Sequence, residues 1–528
     1  MMINTVGVFN LWLAHIEKNW YFATGADYVG GHSRWGNFAL ATGLLVLVTE
    51  KPELRGKLMV VRDHFVNGYH PVQEWISGEG GYHMGWSYSA AYLTGDNHCV
   101  WSGATNECVY YSWQSLLPLF WIYGRQGDGL YPNTGDAYTI KSDLNSERDL
   151  LMIASGIFKN PYAAWTIKQS ADYFSDILYG DKSVKPLAPD NLSSPLPLSR
   201  YFGNSGVVIA RDRWDDKTTL LQFRSVPFYS ANHHHRDENS FTLHYKGALA
   251  IDAGLYDEGG PNGGYGKSHW NNYFTRTVAH NDIIVFDPAQ KMLVYDRPAS
   301  NDGGQTYRKE PKRLQDIIPG GYAHLDGITK YQDTKDYTYS AGDASKAYDA
   351  DHVKLAQREI VYLRKTSRAH PVVVIFDRVE SVKPEFEKRF LLHTVNEPVI
   401  KGKMTIAENK GGRLSCLTLL PEDANLQLIG GPGKEAWVDG VNYPIDSEAW
   451  VRPGLEPGAW RLEVSPNTRQ IQDYFLHVLF VDDVDAVPVD AKNVKLIKGN
   501  KNVEVDVAGW KVTFPFTAGG ITLVEKIR

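Results

Sequence analysis

The chain has 528 residues, more than one hydrophobic core usually supports, so we expect two or three domains. Its formal net charge of -6 argues against a nucleic-acid partner held by a global positive field. Three cysteines are too few for a disulfide framework, and no stretch approaches the roughly 20 apolar residues of a membrane-spanning helix.

The segment up to about residue 180 has the pattern of α-helices. Residues 38–50 and 112–124 are long apolar stretches with few turn residues, and residues 160–180 begin with Asn-Pro and end on Gly. Gly-rich connections lie between them, and long loops between helices are common places for functional sites. We predict an α-helical domain over residues 1–185.

A Pro- and Ser-rich stretch at residues 181–199 indicates a domain boundary. From residue 206 onward the pattern changes to short β-branched runs between turn residues: GVVIARD, TTLLQFRS, SFTLHY, GALAIDAG, DIIVFDP, REIVYLRK and PVVVIFDRV. These runs predict stacked antiparallel sheets. We assign residues 186–415 to a central β-sandwich and residues 416–528 to a smaller C-terminal β-sheet domain.

Three consecutive histidines lie in the run NHHHRDENSF at residues 232–241. Side chains two apart on an extended chain face the same way. The sequence therefore predicts that His233 and His235 share one side and that His234 faces the other.

A metal site is the functional interpretation of this region. Asp252 ends an apolar strand in GALAIDAG, and His280 precedes a further strand in TVAHND. With His235 they supply two imidazoles and a carboxylate, a set that suits zinc, and a buried aspartate is costly unless it is paired or metal-bound. The alternative is that Asp252 caps a turn and His280 is a core histidine; the spacing alone does not decide.

Two loops of the helical segment carry residues suited to proton transfer. YVGGHSRWGN at residues 28–37 contains His32, and GGYHMGWSYSAAY at residues 80–92 contains His83, Tyr88 and Tyr92. Neighbouring groups can bring the pKa values of His and Tyr within reach of neutral pH. Each loop alone is weak evidence, because such residues are more often caps or packing groups.

Several of these runs together resemble the heparinase II/III-type lyases. They are HHHRDENSF, the strand ending in IDAG, and YGKSHWNNYFTRTVAHNDIIVFDP; NDGGQ and GGPGKEAWVDGVNYP resemble the heparinase II-like branch. The similarity covers nearly the whole chain. It implies a multidomain α+β fold, with an N-terminal incomplete α/α toroid that the chain enters part-way, an antiparallel β-sandwich and a small C-terminal β-domain.

The resemblance also implies an activity: cleavage of a uronate-containing acidic polysaccharide, such as heparin or heparan sulfate, by β-elimination. Matched by motif, the catalytic residues are Tyr88 and His32. We add His233 as a further catalytic residue, a donor to the substrate carboxylate. A structural zinc, or another divalent metal, would be held by His235, Asp252 and His280. The residues expected to contact substrate are Asn232, Trp35, His83, Tyr92 and Tyr265.

One departure from the family pattern bears on the substrate. Heparinase II-like proteins often have Glu three residues after the loop histidine, where this chain has Trp35. Chondroitin-type, hyaluronan and alginate-like polymers therefore remain alternative substrates. Two other functions also remain as alternatives: a glycoside hydrolase that uses Glu79 and Asp96 as paired carboxylates, and a non-catalytic carbohydrate-binding homologue.

The expected partner is an acidic polysaccharide, with no nucleic acid and no membrane. We expect a monomer or homodimer with a periplasmic or secreted location.

Overall fold

The computed structural model describes residues 28–30, 44, 48, 51–88, 111–136, 148–167, 180–256, 264–445 and 456–527. Three of the predicted site residues, His32, Trp35 and Tyr92, lie outside these described residues, as does most of the predicted helix at 38–50.

The described helices lie mainly in the first third of the chain. They are α1 (Arg55–Asp63), α2 (His70–Ser77), α3 (Pro118–Gly124), α4 (Arg148–Gly156), α5 (Pro161–Ile167) and the short α6 (Leu314–Ile317). The predicted apolar helix at 112–124 is a 3-10 turn, Ser112–Leu116, followed by α3. The helix begins at Pro118 because a first helical residue needs no backbone N–H donor.

None of the described helices is long and apolar enough to cross a membrane.

The described strands dominate the rest of the chain. In chain order they are β1 (Ser199–Tyr201), β2 (Val207–Arg211), β3 (Leu220–Arg224), β4 (Ser240–Tyr245), β5 (Gly247–Ala250), β6 (Ile283–Phe286), β7 (Met292–Val294), β8 (Arg297–Ala299), β9 (Gly327–Asp333), β10 (Tyr337–Asp343), β11 (Val353–Leu363), β12 (Val372–Ser381), β13 (Glu387–Thr394), β14 (Val399–Lys401), β15 (Met404–Asn409), β16 (Gly412–Leu420), β17 (Asn425–Gly430), β18 (Trp437–Val438), β19 (Val441–Asn442), β20 (Trp460–Ser465), β21 (Gln472–Asp483), β22 (Lys495–Lys498), β23 (Asn502–Val507), β24 (Trp510–Pro515) and β25 (Leu523–Lys526).

Four main antiparallel sheets form from these strands. Strands β1 to β5 pair in sequence order, and an eight-stranded sheet has the order β14-β15-β16-β21-β12-β11-β10-β9. Two four-stranded sheets have the orders β17-β20-β13-β6 and β22-β23-β24-β25. The predicted domain boundary at 415/416 falls inside β16, so the eight-stranded sheet runs across it. Strands β22–β25 form a separate sheet near the C-terminus.

The eight-stranded sheet is a middle layer, buried on both faces. In β12, Val373 and Ile375 pack into a core shared with the helical segment, for example with Trp121. The alternate residues Val374 and Phe376 pack into a second core with the C-terminal sheet. Successive side chains of a strand point to opposite faces, which explains why PVVVIF is apolar without interruption.

Candidate active site and metal centre

Two of the predicted catalytic side chains lie against each other. The ring of Tyr88, in the helical segment, stacks on the ring of His233, with centroids 3.5 Å apart and planes 14° apart. His233 lies in the loop between β3 and β4. Tyr88 is 9% exposed and His233 4% exposed, so the pair sits at the edge of the interior where the two parts of the chain meet.

Asp136 holds the histidines of this loop. Nδ1 of His233 lies 2.6 Å from its Oδ2, and Nε2 of His235 lies 2.9 Å from its Oδ1. The indole Nε1 of Trp270 donates to both oxygens at 3.0 Å. Burial works to raise the pKa of Asp136, but the hydrogen bonds from His233 and His235 bring it below its usual value. Asp136 is therefore an ionised acceptor, and the two imidazoles donate to it.

The hydrogen bond to Asp136 sets the tautomer of His233. A neutral imidazole carries its proton on one nitrogen only, and here that nitrogen is Nδ1. Proton chemistry at this ring therefore takes place at Nε2.

The middle histidine faces the opposite side, as the alternation along the run predicts, although the segment is a loop and not a strand. The backbone N–H of Ser230 donates to Nδ1 of His234, and Nε2 of His234 lies 3.0 Å from Glu238 Oε1. His83 packs edge-on against the His234 ring and contacts the Ser230 hydroxyl at 3.2 Å. Burial lowers the pKa of both His83 and His234 well below the usual value.

His83 is completely buried, with 0% of its surface exposed. The expectation that it contacts substrate does not fit this position. His83 instead packs beneath the histidine loop, and we do not propose it as a substrate ligand.

A second buried group lies next to the histidine loop. Asp237, Asp252 and His280 offer ligand atoms that all lie within 4.8 Å of one another, and Nδ1 of His280 is 3.3 Å from Oδ1 of Asp252. The rings of His235 and His280 are 5.2 Å apart. Burial opposes a charge on His280, but Asp252 and its other acidic neighbours raise its pKa above the usual value.

These residues fit a divalent cation. Among the described residues, no hydrogen-bond or ion-pair partner reaches Oδ1 of Asp237, Oδ2 of Asp252, Nε2 of His280 or Nδ1 of His235. Buried polar atoms are nearly always paired, so this many unpaired atoms at one place indicate a missing ligand. Imidazole nitrogens and carboxylate oxygens are donors that zinc accepts. The hydrogen bond from His235 to Asp136 is the type that orients metal-binding histidines.

The donor set differs in one respect from the sequence expectation. Asp237 joins Asp252 and His280, while it also forms an ion pair with Arg224 at 2.8 Å. The three groups come from loops next to two different sheets, because Asp252 follows β5 and His280 precedes β6.

The predicted substrate residues Asn232 and Tyr265 lie beside His233. Asn232 donates from Nδ2 to the carbonyl oxygen of Gly30 and from its backbone N–H to the Tyr295 hydroxyl. The Tyr265 ring lies 5.4 Å from that of His233, and its hydroxyl donates to Tyr295 at 3.2 Å. Since Tyr265 is 44% exposed, this aromatic wall connects the His233 pair with solvent.

Sequence reasoning missed Asp136 and Asp237. Asp136 lies in PNTGD, whose residue types indicate only a turn. Asp237 lies inside the recognised run HHHRDENSF, but its spacing from His235 gave no reason to prefer it to the neighbouring Glu238.

The family comparison matches residues 194–464 to the family described as Heparinase II/III-like, C-terminal. Among curated proteins, none matches.

Several solved structures are similar to this chain. A heparinase III superposes with a TM-score of 0.60 at 14% identity, over 93% of this chain and 65% of that one. The heparan sulfate lyase HepC from Pedobacter heparinus gives 0.58 at 13% identity, over 93% and 67%. The chain thus spans about two thirds of the length of these proteins. At such identities the likeness shows a common fold.

Proposed function

Because the chain belongs to the heparinase II/III-like family, we propose that it is a polysaccharide lyase that cleaves a uronate-containing acidic polysaccharide by β-elimination. The observation that carries the proposal is the stacked pair of Tyr88 and His233, with His233 anchored by the ionised Asp136. We further propose that α1 to α5 belong to an incomplete α/α toroid.

Elimination on a uronate sets three tasks for the protein. The C5–H bond breaks and its proton goes to a base, a C4–C5 double bond forms, and the C4–O4 bond breaks as O4 takes a proton from an acid. Negative charge builds up on the carboxylate side in the transition state, so donors placed there lower the barrier.

Tyr88 is the group we assign to O4. A phenol has a proton to give at neutral pH, and Tyr88 lies where the helical segment meets the histidine loop. When the C5 proton lies on the same side as O4, Tyr88 starts the step as the phenolate, takes the C5 proton and delivers that same proton to O4. His32, which lies outside the described residues, is assigned as base for the opposite C5 epimer on the family resemblance alone.

His233 acts on the substrate carboxylate. Its Nδ1–H is held by Asp136, so Nε2, when protonated, is the donor that faces the substrate, with Asn232 beside it. A bound divalent cation would be held by Asp237, Asp252, His280 and His235 and would order the loop that carries His233.

We assign sugar contacts to Tyr265, whose ring is exposed beside the pair, and to Trp35 and Tyr92 from the motif alone. We also propose a periplasmic or secreted location, because a large polyanion does not cross a membrane to reach a cytoplasmic enzyme.

A uronate panel tests the activity. Heparin, heparan sulfate, chondroitin sulfates, hyaluronan and alginate are each incubated with the protein, and ultraviolet absorbance records the C4–C5 double bond. The mass of the products distinguishes elimination from hydrolysis, since a hydrolase adds water and forms no double bond. Turnover with water addition, or binding without turnover on every polymer, would contradict the proposal.

A Tyr88→Phe variant tests the residue. We expect turnover to fall by about 10²- to 10⁴-fold, the usual contribution of a general acid–base group, with an unchanged melting temperature. Tyr331→Phe is the matched control, because its hydroxyl contacts Ser199 at 3.2 Å in the β1–β9 region and its loss should leave turnover unchanged.

A further inference from the structure

The turn between β7 and β8 holds two residues in an uncommon backbone conformation. Val294 pairs with Arg297 at the end of this hairpin, so the turn consists of Tyr295 and Asp296. Both have positive φ angles, 48° and 62°. Such turns favour Asn and Gly, which adopt the left-handed region readily, whereas a bulky side chain there is an outlier. Residues held in this way cluster at functional sites.

The ring of Tyr295 lies among other aromatic rings of the candidate site. It stacks on Trp270, with centroids 6.2 Å and planes 15° apart, and on Tyr265 at 6.4 Å and 25°. The Tyr307 ring meets it edge-on at 5.4 Å. Stacked and edge-on pairs at these separations attract each other, so the three contacts fix the direction in which the Tyr295 hydroxyl points.

That hydroxyl reaches the residue that precedes His233. It accepts a hydrogen bond from the backbone N–H of Asn232 at 2.6 Å. Asn232 is 3% exposed and also has a positive φ, 66°. A buried backbone N–H that loses its acceptor is costly, so the Tyr295 hydroxyl stabilises this conformation of the histidine loop.

Tyr295 thus contacts both groups that adjoin His233. Asn232 is its neighbour in the chain, and Trp270 donates to Asp136, which binds Nδ1 of His233. Burial raises the pKa of Tyr295 above its usual value, so the phenol keeps its proton at neutral pH. The hydroxyl therefore serves as a constant hydrogen-bonding group and does not exchange a proton with the substrate.

We propose that Tyr295 is a positioning residue of the proposed lyase reaction. Its hydroxyl holds the backbone of Asn232, so that the Asn232 amide and the His233 imidazole stay directed toward the substrate carboxylate. Negative charge builds up on that carboxylate as C5 loses its proton, and donors that are already in place lower the barrier most. This role depends on the proposed function, which supplies the uronate carboxylate.

Steady-state kinetics of Tyr295→Phe test the role, on the polymer of the uronate panel that the wild type cleaves fastest. The variant keeps the ring and loses the acceptor, so we expect kcat to fall about tenfold, the effect of one hydrogen bond, with KM changed less than about twofold. Tyr307→Phe is the matched control. Its hydroxyl donates to Thr275 at 2.7 Å in the same aromatic cluster, and its loss should leave kcat unchanged.

A second variant separates positioning from turn formation. Asn suits this turn better than Tyr, so Tyr295→Asn should keep the hairpin while it removes the hydroxyl from Asn232. We expect kcat to fall at least as far as in Tyr295→Phe. Wild-type kcat in both variants, even with a lower melting temperature, would overturn the proposal, and so would a change in KM alone.

Hydrogen–deuterium exchange measures the contact without any turnover. Peptides that contain Asn232 should exchange faster in Tyr295→Phe than in the wild type, and equal exchange would overturn the stabilising contact. A wild type that cleaves no polymer of the panel would reject the proposed function and this role with it. Wild-type turnover with an unaltered kcat in the variants would reject the role of Tyr295 alone.

Discussion

Arg358 and Asp377 face each other in the register of β11 and β12, and the protein supplies all their partners. Arg358 donates to both carboxylate oxygens of Asp377 and to the carbonyl oxygens of Asn239 and Asn281. Asp252 and His280 are just as deeply buried, yet Oδ2 of Asp252 and Nε2 of His280 have no hydrogen-bond partner among the described residues. The contrast shows that a buried charged side chain indicates a binding site only where the protein leaves some of its polar atoms without a partner.

Removing one partner from the completed pair should have the largest effect. Asp377→Asn leaves the Arg358 cation buried without its counter-charge, and we expect a loss of about 3–5 kcal/mol of unfolding free energy. Chemical denaturation measures it. Asp326→Asn, in an exposed pair with Lys346, is the control and should cost less than about 1 kcal/mol. Equal losses of unfolding free energy in the two variants would contradict the expected difference between a buried and an exposed ion pair.

A bound metal should stabilise the second group, which contains Asp237, Asp252 and His280. Zinc at a hundredfold excess over its dissociation constant should add about 2.7 kcal/mol of stability to the metal-depleted protein, measured as a rise in melting temperature. Asp252→Asn should abolish the rise. An unchanged melting temperature with zinc, manganese and calcium would show that the unpaired atoms do not form a cation site.

Asp136 contacts both His235, beside the candidate metal ligands, and His233 of the proposed catalytic pair. The Asp136→Asn variant should disturb both contacts. An amide can donate toward His233 and no longer fixes its tautomer, so we expect a 10- to 100-fold fall in kcat with a smaller change in KM. Trp270→Phe keeps an aromatic ring, removes the indole donor to the same carboxylate and should have a smaller effect. A change in KM alone would mean that Asp136 does not position a catalytic group.

The last prediction concerns the pH dependence of stability at His477, a buried residue near Arg358. Its ring stacks on Phe390 at 3.9 Å, and burial lowers its pKa from 6.5 to about 3, with a further contribution from Arg358. Because the folded-state pKa lies below the unfolded value, its contribution to stability is present above pH 6.5 and is lost as the pH falls toward 3. The slope is about 1.4 kcal/mol per pH unit.

Comparison of the wild type with His477→Gln measures this slope. The variant should lose less stability between pH 6 and pH 4. Parallel pH profiles for the two proteins would contradict the assignment of a neutral buried ring.

The strands were the predictable part of the fold. The run SFTLHY is β4, and all of PVVVIFDRV except its first residue lies within β12. The predicted domain boundary at 415/416 lies inside β16, and the sequence could not show that β16 pairs with β21 more than fifty residues later. A sequence pattern records local periodicity, whereas pairing between distant strands depends on the assembled sheet.

The same limit applies to the site. The alternation of His233, His234 and His235 was predicted from strand geometry, and the structure places the three rings accordingly although the segment is a loop. Asp136 lies nearly a hundred residues away in a turn, and only the tertiary contact between the helical segment and the histidine loop reveals it.

The hydrogen bonds that Asp136 already accepts restrict where a cation can bind. Its two oxygens already accept from His233, His235 and Trp270, so they have little capacity left for a metal. A bound cation would therefore lie on the Nδ1 side of His235, with the His235 ring and the Asp136 carboxylate between it and His233. Exchanging one divalent ion for another should therefore alter the melting temperature of the protein far more than the pH optimum of the proposed reaction.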